Sequence, residues 1–340
     1  MTRHRPRAAW LSLALGLALV ACSSAGPTGG GPALPAHWVR YRHLPGVVDL
    51  AGPAGDGSFT VAAAGRLFIL SQAGTLRPFA RGPGGYVTAI GPEPYLTMPA
   101  AGQIAGTHCS FPRGASYAIQ PSRPPGVIMI GADGRARRFV SLPGTLTPDG
   151  ITADTVGRFG HALLVTARNG TGTAVLAIDC TGRQRTITAT APHMEGGMSV
   201  APASFGRYGG DLIGPDESTG RVYAVAPDGT VRTLVRSRLP HGGDIGVEST
   251  GFVPPGFSPG GSAYLADRFS RHNKHPGTNS ILRLPGPELI KARARPGDLL
   301  VATEGSARTI DVRCAATCTV RYIAIGPAVS HAEGHIVFTR

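Results

Sequence analysis

The chain has 340 residues, of which 42% are hydrophobic and 16% charged, with 49 glycines and 30 prolines. That is too apolar for a disordered chain and too often interrupted for a helical one. The net charge of +13 is carried almost wholly by arginine, with lysine only at Lys274 and Lys291. The arginines are scattered and form no aromatic-basic platform, so no nucleic-acid partner is expected.

The N-terminus reads as an export signal. Arg3, Arg5 and Arg7 precede an apolar run over residues 8–20, too short for the roughly 20 apolar residues that span a bilayer. The run closes on Leu19-Val20-Ala21-Cys22, which resembles the lipobox of bacterial lipoproteins. The resemblance implies diacylglyceryl transfer to the Cys22 thiol, cleavage before Cys22, and membrane lipid as a partner through acyl chains such as palmitate. Residues 1–21 are then a lipoprotein signal peptide, 22–37 a lipidated cysteine with a Gly/Pro-rich tether, and 38–340 the folded domain. The expected address is the extracytoplasmic face of the cell membrane. With Cys22 acylated, Cys109, Cys180, Cys314 and Cys318 remain, an even number that favours two disulfides in an oxidising compartment. Cys314 and Cys318 could staple a hairpin tip; three pairings are formally open, and a Cys-x3-Cys metal site is the alternative.

The body repeats one order of elements. Apolar runs at Leu67-Phe68-Ile69-Leu70, Val127-Ile128-Met129-Ile130, Val175-Leu176-Ala177-Ile178 and Val222-Tyr223-Ala224-Val225 each lead through a glycine turn into a second strand. At Ile281-Leu282-Arg283-Leu284 the second strand gives way to a short helix candidate over residues 286–293. A further strand precedes each hairpin, beginning near Gly57, Pro94, Gly160, Gly210, Gly261 and Gly297. A third element, an acidic residue followed by alternating apolar residues, occurs at Asp149, Glu195, Glu248 and Glu333. About six units of roughly 50 residues, each of three or four short strands, predict an all-β six-bladed β-propeller, with the last copy closing the ring. A two-sheet sandwich is the alternative. The chain resembles the six-bladed propellers of the NHL-repeat and gluconolactonase (senescence-marker) superfamily over residues 47–338, best from Glu195-Gly196-Gly197-Met198 to Asp228-Gly229.

In a propeller the innermost strands line a central channel, so Asp149, Glu195, Glu248 and Glu333 are expected around one mouth. Converging oxygen ligands suit Ca²⁺ or another divalent cation. The resemblance implies a metal-bound glutamate that helps polarise a lactone carbonyl, a role for which Glu195 is best placed; Asn273, Asn279 and Asp267 share one candidate loop. Acidic residues before glycine also simply set tight turns. His331, Glu333 and His335 alternate and on a regular strand would share a face, as a transition-metal set or a source of a general base. His193 stands two before Glu195 and would point the same way, and His272-Asn273-Lys274-His275 lies in the longest loop. No Gly-x-Ser-x-Gly elbow, Walker A pattern or dinucleotide fingerprint occurs. The expectation is an exported, lipid-anchored propeller binding a small molecule or protein partner at the cell envelope. A metal-dependent hydrolase of the lactonase type is the alternative, and an assembly factor docking on another envelope protein is a third.

Overall fold

The apolar runs are nearly continuous because strands in the middle of a blade are covered on both faces. Leu163 packs towards one neighbouring blade and Leu164 towards the other; Val222 and Ala224 face one way, Tyr223 and Val225 the other. The computed structural model describes residues 35–80, 93–99, 102–103, 109–121, 124–170 and 172–340. Cys22 and the segment read as signal and tether up to residue 34 lie outside them.

Six sheets form six blades. Blade 1 comprises Val47–Ala51, Phe59–Ala63, Arg66–Leu70 and Leu76–Pro78. Blade 2 comprises Leu96–Thr97, Ser116–Gln120, Gly126–Ile130 and Ala136–Ser141. Blade 3 comprises Thr147–Ala153, Leu163–Asn169, Gly172–Ile178 and Gln184–Ala191, and blade 4 Ser199–Val200, Leu212–Asp216, Arg221–Val225 and Val231–Arg236. Pairing within each is antiparallel, and the innermost strands neighbour one another around a closed ring. The buried apolar residues fall into six clusters, one at each junction between adjacent blades. Closure therefore buries every blade face and leaves only short outer edges.

Blades 5 and 6 depart from the simple repeat. Val247–Phe252 is the innermost strand of blade 5, but the chain then supplies the two middle strands of blade 6, Ser262–Asp267 and Ser280–Pro285. Pro254 and Pro255 stop the blade 5 strand from continuing into its own hairpin. The helix Gly286–Lys291, at the place expected for one, returns the chain to Leu299–Thr303, Thr309–Cys314 and Cys318–Ile325, which complete blade 5. Ala332–Thr339 then closes the ring as the innermost strand of blade 6.

The N-terminal strands finish both blades. Val39–His43 is the outer strand of blade 6, and Ala36–His37, two residues read as tether, pairs in parallel with the edge of blade 5. Between them Trp38 is buried at the seam, donating from Nε1 to Thr309 Oγ1 at 2.8 Å and packing with Leu265, Leu284 and Ile323. Trp38→Ala is expected to cost about 3–5 kcal/mol, read as a lower urea midpoint. A shift under about 1 kcal/mol would mean the seam is held without it.

Candidate functional site

Bulges in the innermost strands turn acidic side chains into the channel. Asp149 and Glu248 occupy the extra position of equivalent bulges in blades 3 and 5, between Pro148 and Gly150 and between Val247 and Ser249. A bulge re-aims one side chain without ending the strand. Two glycines then let the chain cross close to the axis. A Cβ on Gly196 would lie 2.0 Å from Glu248 Oε1, and one on Gly197 would lie 2.0 Å from the Gly334 carbonyl. Gly196 N–H donates to the Asp149 carbonyl (3.1 Å) and Gly197 N–H to the Glu248 carbonyl (3.0 Å). The Glu-Gly-Gly motif is thus a seam that joins blade 4 to blades 3 and 5.

These devices place Asp149, Glu195, Glu248 and Glu333 at one mouth, at the start of the innermost strands. Glu93, Glu217 and Glu304, which sequence reasoning missed, join them within electrostatic reach. Glu304 follows a middle strand of blade 5 and Glu93 precedes blade 2; Glu304 is followed by Gly305 but not by the alternating apolar run of the other acidic elements.

The mouth divides into two halves with different balance. In the first, His331 Nε2 lies 3.4 Å from Glu304 Oε1 and 3.3 Å from Glu333 Oε1. Arg268 Nη1 reaches Glu333 Oε1 at 3.1 Å and Glu93 Oε1 at 2.5 Å. The Tyr95 hydroxyl stands 2.7 Å from Glu248 Oε1 and 2.8 Å from Glu333 Oε2. One hydroxyl proton cannot serve two carboxylates, so one of the two acids carries its own proton and donates to the tyrosine oxygen. That acid is Glu248: burial, then Glu333 and Glu195, push its pKa well up. Burial also pushes on Glu333, but His331 and Arg268 outweigh it and hold Glu333 below the usual range. Burial, Glu333 and Glu217 push Glu304 strongly upward. Glu304 Oε2 and His331 Nδ1 lack hydrogen-bond partners, and Glu304, His331 and Glu333 also offer ligand atoms within 4.8 Å of one another. With a resident cation and tyrosine, this half is nonetheless partly neutralised from within.

The second half is not. Asp149, His193 and Glu195 offer ligand atoms within 4.8 Å of one another. Asp149 is 5% exposed, yet neither of its carboxylate oxygens has a hydrogen-bond partner. The neighbouring Thr166 hydroxyl stands outside hydrogen-bond geometry, and the half-exposed Arg168 holds its Nε 3.6 Å away. Burial pushes the Asp149 pKa up to about 7 against the pull of those two groups. Burial, Glu217 and Asp149 push Glu195 up to about 8. His193 Nδ1 is unpartnered and 3.7 Å from Glu195 Oε1, while its side chain remains 30% exposed. The donor set is two carboxylates and one imidazole, open to solvent on one side.

Other sequence candidates take structural roles. The triad His331, Glu333 and His335 does not share a face. A bulge between Glu333 and Val337, with Gly334 at φ +70°, turns His335 away from the other two. His335 Nδ1 instead lies 3.0 Å from both oxygens of Asp49, a residue not singled out from sequence. In the loop over residues 268–279, Asp267 accepts from the His331 backbone N–H (2.8 Å) and from the Thr278 hydroxyl, Asn279 Oδ1 from Gly46 N–H (2.8 Å), and Asn273 Oδ1 from His275 N–H (2.7 Å). These bonds fasten the loop that delivers Arg268. His272 takes φ +71° there.

No protein-family model and no curated protein matches the chain. Solved structures do. Virginiamycin B lyase from Staphylococcus aureus is 11% identical with a TM-score of 0.43, covering 83% of this chain and 87% of that one. A gluconolactonase from Xanthomonas campestris is 14% identical with a TM-score of 0.37, covering 75% and 97%.

The chain is a six-bladed β-propeller.

Its sequence is far from both of these propellers, and the likeness is one of fold.

Proposed function

We propose that the propeller binds a hard divalent cation between Asp149 and Glu195, beside His193, and uses this mouth to capture and hydrolyse an oxygen-rich ligand of the lactone or ester class. One observation carries the reading: a buried carboxylate with both oxygens unpartnered, beside a second carboxylate and an open imidazole. An uncompensated buried carboxylate is costly and is relieved by pairing or by a metal. The other half of the mouth already has Arg268, His331 and Tyr95, so Glu248, Glu304 and Glu333 support the site rather than hold the ion.

The fit favours Ca²⁺, Mg²⁺ or Mn²⁺ by its oxygen donors. A bound ion would supply Lewis-acid polarisation of a ligand carbonyl. The chain's own groups do the rest. Asp149 and Glu195 fix the ion's place, because the Gly196 and Gly197 crossing leaves their backbone no freedom. His193 is exposed enough to meet a water and take its proton, acting as general base. The half-exposed Arg168 at the rim can engage a ligand oxygen.

The test uses purified protein after chelation and after adding back each cation. One ion per chain is expected, with melting restored by one cation; linkage gives about 2.7 kcal/mol at a hundredfold excess over Kd. A lactone and ester panel should then show cation-dependent turnover that His193→Ala removes while cation affinity falls less than with Asp149→Asn. Absence of bound metal and of any thermal shift would overturn the reading.

The address rests on the N-terminal segment. Cys22→Ser is expected to move the protein from the membrane fraction to the soluble exported fraction. Retention in the membrane would point to another anchor.

A further inference from the structure

The acidic mouth has a lip on the blade 6 side, formed by the loop over residues 268–279 and by the segment that leads into the closing strand. Arg268 N–H donates to the His331 carbonyl (2.8 Å) and Gly277 N–H to the Val329 carbonyl (2.7 Å), so the two segments run side by side. The two ends of the loop touch: a Cβ on Gly277 would lie 1.6 Å from the Arg268 carbonyl oxygen. Ser270 N–H donates to the Pro276 carbonyl (2.9 Å), His275 Nδ1 to the Ala328 carbonyl (2.8 Å) and Asn273 Nδ2 to the Asp244 carbonyl (3.2 Å). The loop is thus fixed at its ends and at its tip.

Two large apolar side chains nevertheless stand in water on this lip: Phe269 is 48% exposed and Val329 43%. Among the described residues, the other large exposed apolar side chains are Val39, Ile290 and Tyr322, on outer strands and on the helix. Arg271, His272 and Lys274 follow Phe269, all exposed, and no aspartate or glutamate occurs from residue 268 to residue 287. Among the described residues no carboxylate pairs with Arg271 or Lys274. The adjoining loop adds exposed Arg238 and His241 against one exposed acid, Asp244. The acids of the mouth itself are buried or partly buried, whereas these cations face solvent.

We propose that this lip docks on an anionic lipid bilayer, with Phe269 and Val329 entering the headgroup layer and Arg271 and Lys274 meeting lipid phosphates. An aromatic and an aliphatic side chain beside unpaired cations match a surface that is negative on top and apolar beneath. A soluble anionic polymer would meet the cations but leave Phe269 and Val329 in water. Arg268, next in sequence to Phe269, reaches Glu333 in the mouth at 3.1 Å, so docking turns the acidic mouth toward the lipid. The contact does not depend on acylation of Cys22, although an acylated tether would raise the local concentration of bilayer.

The test puts a reporter on the lip of the full chain. Phe269→Trp keeps an aromatic ring, and its indole emission is read with vesicles of phosphatidylglycerol and phosphatidylcholine whose acyl chains carry bromine, a contact quencher. The parent chain, in which Trp38 is buried, supplies the background. Quenching above that background is expected in the anionic vesicles, and about twofold less or weaker still in phosphatidylcholine alone. Arg271→Ser with Lys274→Ser, added to the reporter, should reduce quenching by about twofold or more with unchanged melting. The readout is contact between one side chain and acyl chains, so it holds whether or not Cys22 also anchors the protein. No quenching above background, equal quenching in neutral vesicles, or quenching indifferent to the two cation substitutions would overturn the proposal. A blue shift of the reporter with soluble polyphosphate alone would overturn it too, and assign the lip to an anionic polymer.

Discussion

Asp149→Asn is expected to move two measurements in opposite directions. It removes a formal charge from the cation site while keeping the shape, so divalent-cation affinity should fall at least a hundredfold, about 2.7 kcal/mol. In chelator at pH 7.5 the same variant should be more stable than the parent by up to about 4 kcal/mol, because it deletes a buried carboxylate with no hydrogen-bond partner. A residue that only shapes a turn would lose stability and leave affinity unchanged. Titration calorimetry and urea unfolding measure the two; a less stable variant with intact affinity would remove Asp149 from the site.

The pH profile carries the same signature. Burial raises the Asp149 pKa from 3.8 to about 7 in the folded chain. Below pH of about 4 both states hold the proton and the group is indifferent to folding. Between about 4 and 7 the unfolded chain releases its proton first, so stability falls as pH rises, by up to about 1.4 kcal/mol per unit. Above about 7 the penalty is complete for Asp149, and Glu195 carries the trend on to about 8. In chelator, urea midpoints should therefore decline from pH 5 to 8, and Asp149→Asn should flatten part of the decline. A saturating cation, bound to the ionised carboxylates, should flatten it further. Identical slopes in parent and variant would show that the decline arises elsewhere.

The second large effect is expected from the disulfides, and it should be unequal. Cys109–Cys180 joins blade 2 to a hairpin turn of blade 3 across 71 residues, whereas Cys314–Cys318 closes a hairpin across four. Loop-closure entropy grows with the logarithm of the enclosed length, so the first bond contributes about 4 kcal/mol and the second about 2. The shorter bond is also less needed, because Cys314 and Cys318 already face each other in the register of the blade 5 strands. Cys109→Ala with Cys180→Ala should thus lower the denaturation midpoint more than Cys314→Ala with Cys318→Ala. The reverse order would mean that the blade 5 edge, not the junction of blades 2 and 3, limits stability.

Much of the architecture is legible in the chain. Glycine turns between apolar runs mark the hairpins of blades 1 to 4, and the acidic-glycine elements mark innermost strands because a channel-lining strand needs both a polar start and a close backbone approach. Tyr95-Leu96-Thr97 was a harder case. It matches the pattern of a middle strand but forms the innermost strand of blade 2, where Ser116–Gln120 takes the middle place. Two residues of strand give no periodicity to read. The exchange between blades 5 and 6 is invisible for another reason. Each strand looks like its counterparts, and only pairing across the ring reveals that Ser262–Asp267 joins Ala332–Thr339 rather than Val247–Phe252.

The sequence by itself determined the all-β class, the number of blades, the closing role of the last strand and the convergence of Asp149, Glu195, Glu248 and Glu333, because these follow from local turn chemistry and from repetition. Only the tertiary structure decided which acids are compensated. Arg268, Glu304 and the pair Glu93 and Tyr95 come from three separate stretches of chain, and their charges matter only through distances of a few ångströms in a medium where burial makes each unpaired carboxylate costly. The same holds for Asp49 and His335, 286 residues apart in sequence and bonded at the centre of the ring. Charge balance in a channel is a property of the closed ring, and no single repeat contains it.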